Sequence, residues 1–346
     1  MKQFVPFLWR RLLLMVISLA VLISVTFFLV NLAPADPARA VGGPYATADQ
    51  IEQIRHQLGL DQPLFARFFS YWGQLFQGNL GTSLYSPDRI SDNIGKFLPS
   101  TLELIILSLV VALVIGLALG IVSSYFHRRW QDRVSSGVVG VLQSVPDFVM
   151  AVIVIYLLSY VLNAAPGPEG QLSIATTPPP TVTGMILVDA LIEGDPATIT
   201  DAIQHMVLPV LTLGLVLAAV FARISRAALR EAFESEQTKF ARACGLSEWR
   251  IVRNAMLTSR TPILTYGAII FAAGFGGTAI VEKVFNWNGV SQWAVQSMER
   301  NDYPAVEGFV LIAGAITLVV YMLLDVLVNL LDPRMDALAP AKAKKA

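Results

Sequence analysis

Apolar residues gather into six long stretches separated by polar ones, and that alternation sets the architecture. Residues 12–32 run 21 positions without a charged side chain, and residues 104–126 run 23. A hydrocarbon core about 30 Å thick takes roughly 20 residues of helix, so each of these stretches predicts a membrane span. Residues 134–162 carry one acid, Asp147; 206–222, 261–281 and 308–331 follow, the last containing Asp325. The first stretch ends in "NLAPADPARA", which imitates a signal-peptidase site. A signal h-region is only about 7–15 residues long, so an uncleaved first helix is expected.

The polar stretches have patterns of their own. Residues 34–99 form an external region in which Thr47 and Gln50 have capping-box spacing, predicting a helix that stops near Gly59. A second external loop, 163–203, starts Pro/Gly-rich and turns amphipathic in "GMILVDALIEGDPATITDAI". Between the fourth and fifth spans, within residues 229–262, stands "TKFARACGLSEWRIVRNAMLTSRTP". Thr238 to Cys244 reads as a short helix. Gly245 sits where a helix ends in a left-handed residue, Ser247 is placed to cap a second helix with Glu248 in its first turn, and Pro262 marks re-entry into the membrane. Such a segment is either a solvated connection or a docking element that moves with the spans. No repeat of fixed period is present.

Charge orients the set. Of the 25 Lys and Arg residues, 18 fall on the side that holds both termini, including Lys2, Arg10, Arg11, Arg128, Arg129, Arg133, the residues from Arg223 to Arg260, Arg334 and the 342–345 tail; 163–205 has none. The positive-inside rule makes both termini cytoplasmic. Composition agrees with a membrane protein: 55% of the 346 residues are hydrophobic and 14% charged, against about 25% in soluble domains.

Candidate chemistry is sparse. The single cysteine, Cys244, excludes an intrachain disulfide, and three scattered histidines give no metal site. There is no GxxxxGK[ST], GxSxG or HExxH, so no bound nucleotide, cofactor or catalytic centre is expected on this chain, nor a nucleic-acid partner. Asp147 is the exception. An acid at the centre of a span costs about 2.5–3.5 kcal/mol, and such residues face a cavity or a partner. Pro146 beside it should break the helix. Asp147 could line a transport path, be satisfied by a neighbouring subunit, or carry protons in a secondary transporter. Glu103, Asp325 and His205 read as structural, and the glycines of "GAIIFAAGFGG" read first as packing positions.

The sequence "KFARACGLSEWRIVRNAMLTSRTPILT" resembles the cytoplasmic EAA loop of ATP-binding-cassette (ABC) importer permeases of the dipeptide/oligopeptide branch, at Arg242, Ala243, Gly245, Leu246, Ser247 and Arg250. "NLAPADPA", "LGLDQP", "GNLGTSL", "HMVLPVLTLGL", "VEKVFNWNGV", "NDYPAVEG" and "DVLVNLLDPR" resemble family segments in family order. Phe240 and Cys244 stand where Thr and Lys are usual, Asn79 where Asp is and Asn288 where Pro is. "EAF" at 231–233 lies too far from Gly245 to be the motif's acid–alanine pair. The resemblance implies an all-α, six-span type I importer permease in a bacterial inner membrane. Its first span ends at 33, its core is 100–331 and its basic tail is 332–346. It further implies a second homologous permease, two ATPase subunits that bind ATP and Mg, and an extracytoplasmic solute-binding protein. Lys239, Phe240, Ala241, Arg242, Ala243, Cys244, Gly245, Leu246 and Ser247 would form the ATPase-coupling element. Pro146, Asp147, Phe148, Gly274 and Gly277 are candidate path residues. The cargo implied is a di- or oligopeptide, with nickel chelates, glutathione and oligosaccharides as alternatives within the branch.

Overall fold

A computed structural model describes residues 4–32, 36–86 and 88–331. Lys2, Pro34, Arg334 and the 332–346 tail lie outside the described residues. Among the described residues, five helices are long and apolar enough to cross a membrane: α1 (Phe4–Asn31), α5 (Ile90–Tyr125), α9 (Pro196–Glu234), α12 (Arg260–Val284) and α14 (Tyr303–Leu331). The stretch expected as a further span, 134–162, is not one helix. α6 (Trp130–Ser144) and α7 (Asp147–Val154), which continues as a π-helical stretch Ile155–Val161, meet at 109°.

Local chemistry explains most of the boundaries. Pro146 has no N–H to give and forces the residue before it out of the helical region, and Val145 is extended at φ −89°, ψ 120°. The predicted 134–162 span therefore folds as two helices around that break. α9 starts ten residues earlier than its apolar run, because Asp195 caps it by accepting from the Thr198 N–H at 3.0 Å and Pro196 holds the first helical position. α5 also starts early and carries Pro99 inside it, so the expected boundary at 99/100 cuts a helix. The shorter helices α2 (Pro37–Gly42), α3 (Ala48–Gln57) and α4 (Leu64–Phe76) sit between α1 and α5. In α3 the capping box is reciprocal: the Gln50 N–H donates to Thr47 Oγ1 at 3.3 Å, and the Thr47 N–H to Gln50 Oε1 at 2.9 Å.

The core lies where α5 and α9 run side by side with α7 and α12 against them, around Leu104, Met150, Leu213, Phe221 and Ile270. Glycine makes the α5–α9 approach possible. A Cβ on Gly120 would stand 2.7 Å from Ser225 Cβ, and one on Gly116 2.8 Å from the Ala218 carbonyl oxygen, so any side chain there pushes the backbones apart. α1 and α14 pair at the edge through Arg11 and Asp325 at 2.5 Å near one end. Near the other end, Asn31 donates to Glu307 at 2.9 Å.

Candidate functional site: coupling surface and transport path

After α9 the chain turns at Ser235, which is extended and caps the next helix by accepting from the Thr238 N–H at 3.3 Å. α10 (Glu236–Ala243) follows, then a turn, then α11 (Glu248–Thr258). The candidate coupling element, expected within 229–262, thus folds as 235–259; residues 229–234 still belong to α9 and 260–262 to α12. The turn closes by two backbone bonds, Leu246 N–H to the Ala241 carbonyl at 3.1 Å and Gly245 N–H to the Arg242 carbonyl at 2.9 Å. That pairing defines a Schellman motif, and Gly245 takes the left-handed φ of +76° it requires. No atom approaches within 4 Å of where a Cβ would sit, so glycine is needed for its backbone alone. Any other residue costs about 1–2 kcal/mol there.

Ser247 corrects the sequence expectation. It occupies the cap position of α11, but its side chain makes no cap hydrogen bond. Arg242 and Glu248, both exposed, add a pairing at 3.3 Å across the turn. The guanidinium holds the Glu248 carboxyl below the usual range.

The helix–turn–helix is fixed to the membrane helices by its own apolar cluster. Ile251 and Ala255 of α11 pack on Leu229, Ala232 and Phe233 of α9, with Leu246 and Tyr125 around them. The misleading "EAF" triplet is therefore part of the foundation on which the coupling element stands. Ser259 Oγ adds a bond to the Ala228 carbonyl at 2.9 Å. The opposite face is bare: Lys239 and Cys244 are exposed, Phe240 is 72% exposed and Trp249 75%. Trp249 was not marked by sequence, although a bulky aromatic in the first turn of a polar helix was the available signal.

At the broken span, Asp147 takes the first position of α7, where the helix dipole favours an anion. It is half-buried and makes no hydrogen bond or ion pair among the described residues. Its Oδ2 lies 3.5 Å from the point a Cβ on Gly277 would occupy, beside Leu213 at mid-helix. The structure thus brings together two candidates from separate spans. Pro146 and Phe148 flank them and are exposed. Gly274 departs from the group: it is buried, and its missing side chain makes room for Ile105 of α5, 3.1 Å from the Cβ position. Its role is packing.

At the end away from the coupling element, the carboxylates are held. Glu103 accepts from the Leu187 N–H at 2.9 Å and so caps α8 (Ile186–Glu193). Asp189 is pushed up by burial, but donors from Thr183, Gly184 and Val182 outweigh that and hold it below the usual carboxylate range. Glu282 accepts from Thr101 Oγ1 at 2.6 Å and the Gln292 N–H at 2.7 Å. His205 sets its Nδ1 2.9 Å from the Asp201 carbonyl within its own helix.

Residues 112–337 match the model of the binding-protein-dependent transport system inner membrane component, and residues 4–105 match its N-terminal companion. The chain belongs to that family. It is a multi-pass permease of the bacterial inner membrane, a subunit of an ABC importer rather than an enzyme, which removes the proton-carrier alternative for Asp147. A permease of this family works with a binding protein, an ATPase and a second permease. The chain is 37% identical over 328 residues to the "probable D,D-dipeptide transport system permease protein" of Escherichia coli (strain K12), covering 92% of this chain and 94% of that one. It is 34% identical over 325 residues to the glutathione transport system permease protein of Escherichia coli O6:H1 (strain CFT073), covering 94% and 96%.

Proposed function

We propose that this permease imports short peptides, handed over by an extracytoplasmic solute-binding protein, alongside one homologous permease and two ATPase subunits that hold ATP and Mg. The observation that carries the reading is the end-to-end similarity to the D,D-dipeptide permease. Lys239 to Ser247, with Trp249, form the cytoplasmic surface that seats in the ATPase. Because that surface is braced against α9, movement of the ATPase pair reaches the spans without being absorbed by the loop. ATP can drive import only by favouring one arrangement of the two permeases over the other.

Pro146, Asp147, Phe148 and Gly277 form part of the path wall. Residues 134–222 contain no Lys or Arg, so the Asp147 charge has no basic neighbour in its own segment. A path with that carboxylate favours cargo that is zwitterionic or cationic overall. This speaks for ordinary peptides over glutathione, whose two carboxylates and one ammonium leave a net negative charge.

The test is ATP-driven uptake in proteoliposomes holding the complete importer and its binding protein, with a dipeptide and glutathione as competing cargoes. Dipeptide uptake is expected to dominate; preferential glutathione uptake contradicts the cargo assignment. Cys244 tests the coupling surface separately. A membrane-impermeant maleimide should label it in inside-out vesicles and not in spheroplasts, and faster once the ATPase is stripped away. Equal rates with and without the ATPase would return the segment to an ordinary solvated connection.

A further inference from the structure

The helix α4, "LFARFFSYWGQLF", presents a row of aromatic rings of which Phe65, Phe69 and Phe76 are left mostly exposed among the described residues, with Trp72 partly buried between its neighbours. At about 100° per residue, Phe65, Phe69, Trp72 and Phe76 fall within about 60° of one another. Phe65, Phe69 and Phe76 are 67%, 68% and 83% exposed. Such a row on a soluble surface would be an aggregation liability, so its location decides its meaning.

Ring contacts fix that location. Phe65 and Phe68 meet Phe28 at 6.2 and 5.1 Å, while Phe68 and Tyr71 meet Phe27 at 5.4 and 5.5 Å. Along α4 these partners spread over about 9 Å, but Phe27 and Phe28 are separated by only about 1.5 Å along α1. α4 therefore crosses α1 instead of running beside it. It does so in the last turns of a span whose own side chains, Leu29 at 69% and Leu32 at 68%, are still exposed. A helix set across the end of a span lies along the membrane plane, at the depth where aromatic belts concentrate. The side facing away from the bare row is polar: Arg67, Ser70 and Gln74 line a cavity of about 430 Å³ that also contains Glu307 and Asn31.

We propose that α4 is an in-plane anchor whose Phe65, Phe69, Trp72 and Phe76 insert into the lipid interface at the end of the importer away from the ATPases. Its chemistry is apolar insertion rather than charge attraction. The one cation of α4, Arg67, donates to Asn31 and turns toward the cavity, so an anionic headgroup is not required.

Photocross-linking tests this on the assembled importer in nanodiscs of pure phosphatidylcholine, without binding protein, with p-benzoylphenylalanine at position 69 or, in a second preparation, 76. Phospholipid adducts are expected at both positions, with unchanged yield when a third of the lipid is anionic or the salt is raised tenfold. The same probe at Glu52, on the polar and exposed α3, should give at least tenfold fewer. Absence of lipid adducts at 69 and 76, or adducts to added binding protein in their place, overturns the anchor. Adducts that appear only with anionic lipid overturn its apolar chemistry. None of these outcomes depends on which cargo is transported.

Discussion

Gly245 and Pro146 both interrupt a helix, and the protein treats the two interruptions in opposite ways. At Gly245 two backbone bonds close the turn, a salt bridge spans it and a private apolar cluster holds the flanking helix. What remains exposed is a fixed shape carrying Phe240, Cys244 and Trp249. At Pro146 the chain swings through 109°, and the adjoining carboxylate has no partner among the described residues. One break is finished within the chain and offers a surface to a protein. The other is left chemically open.

That contrast can be broken experimentally. The largest effect is expected from combining Phe240→Asp with Trp249→Ala. Both side chains are mostly exposed, so the permease should accumulate normally while ATPase co-purification falls more than tenfold; an unchanged yield of complex would remove the docking role. Gly245→Leu comes next. The left-handed penalty of about 1–2 kcal/mol corresponds to roughly a tenfold loss in ATPase association if the turn must keep its geometry to dock. Full transport by this variant would mean that the turn's shape is irrelevant.

Asp147→Asn should act on cargo and not on assembly. A several-fold drop in uptake of a lysine-containing dipeptide, with a smaller change for a glutamate-containing one, is expected at unaltered membrane levels. A uniform loss across cargoes, or failure to accumulate, would make Asp147 a contact with the neighbouring permease. The smallest effect belongs to Arg242→Ala. An exposed pair contributes about 0–1 kcal/mol, so thermal stability should barely move and ATPase association should change less than threefold.

The long apolar helices and the turn at Gly245 were legible in the sequence because each is written in consecutive residues. Uninterrupted apolar runs announce helices, and a glycine between two short amphipathic segments announces a turn. Helix ends were less legible: α5 and α9 extend past their apolar runs, α9 because Asp195 caps it upstream of its run. α4 was overlooked because its aromatic content reads as a hydrophobic patch until the 3.6-residue spacing is laid out. Gly274 and Gly277 could not be told apart by sequence at all. Three residues separate them in one helix, yet one receives Ile105 and the other faces Asp147, and only the neighbouring helices decide which.

The glycine seam between α5 and α9 also has a mechanical meaning. With 36 and 39 residues, the two helices run about 54 and 58 Å, well beyond the thickness of the hydrocarbon layer. Joined along touching backbones, they form a stiff beam with the coupling element bolted to one end and the Glu103–α8 junction near the other. Over such a length a tilt of about 5° at the loaded end sweeps the far end through about 5 Å. A longer side chain at Gly120 would turn the beam into two loosely coupled rods, and a push on the coupling element would be spent bending them before it reached the opposite face of the membrane.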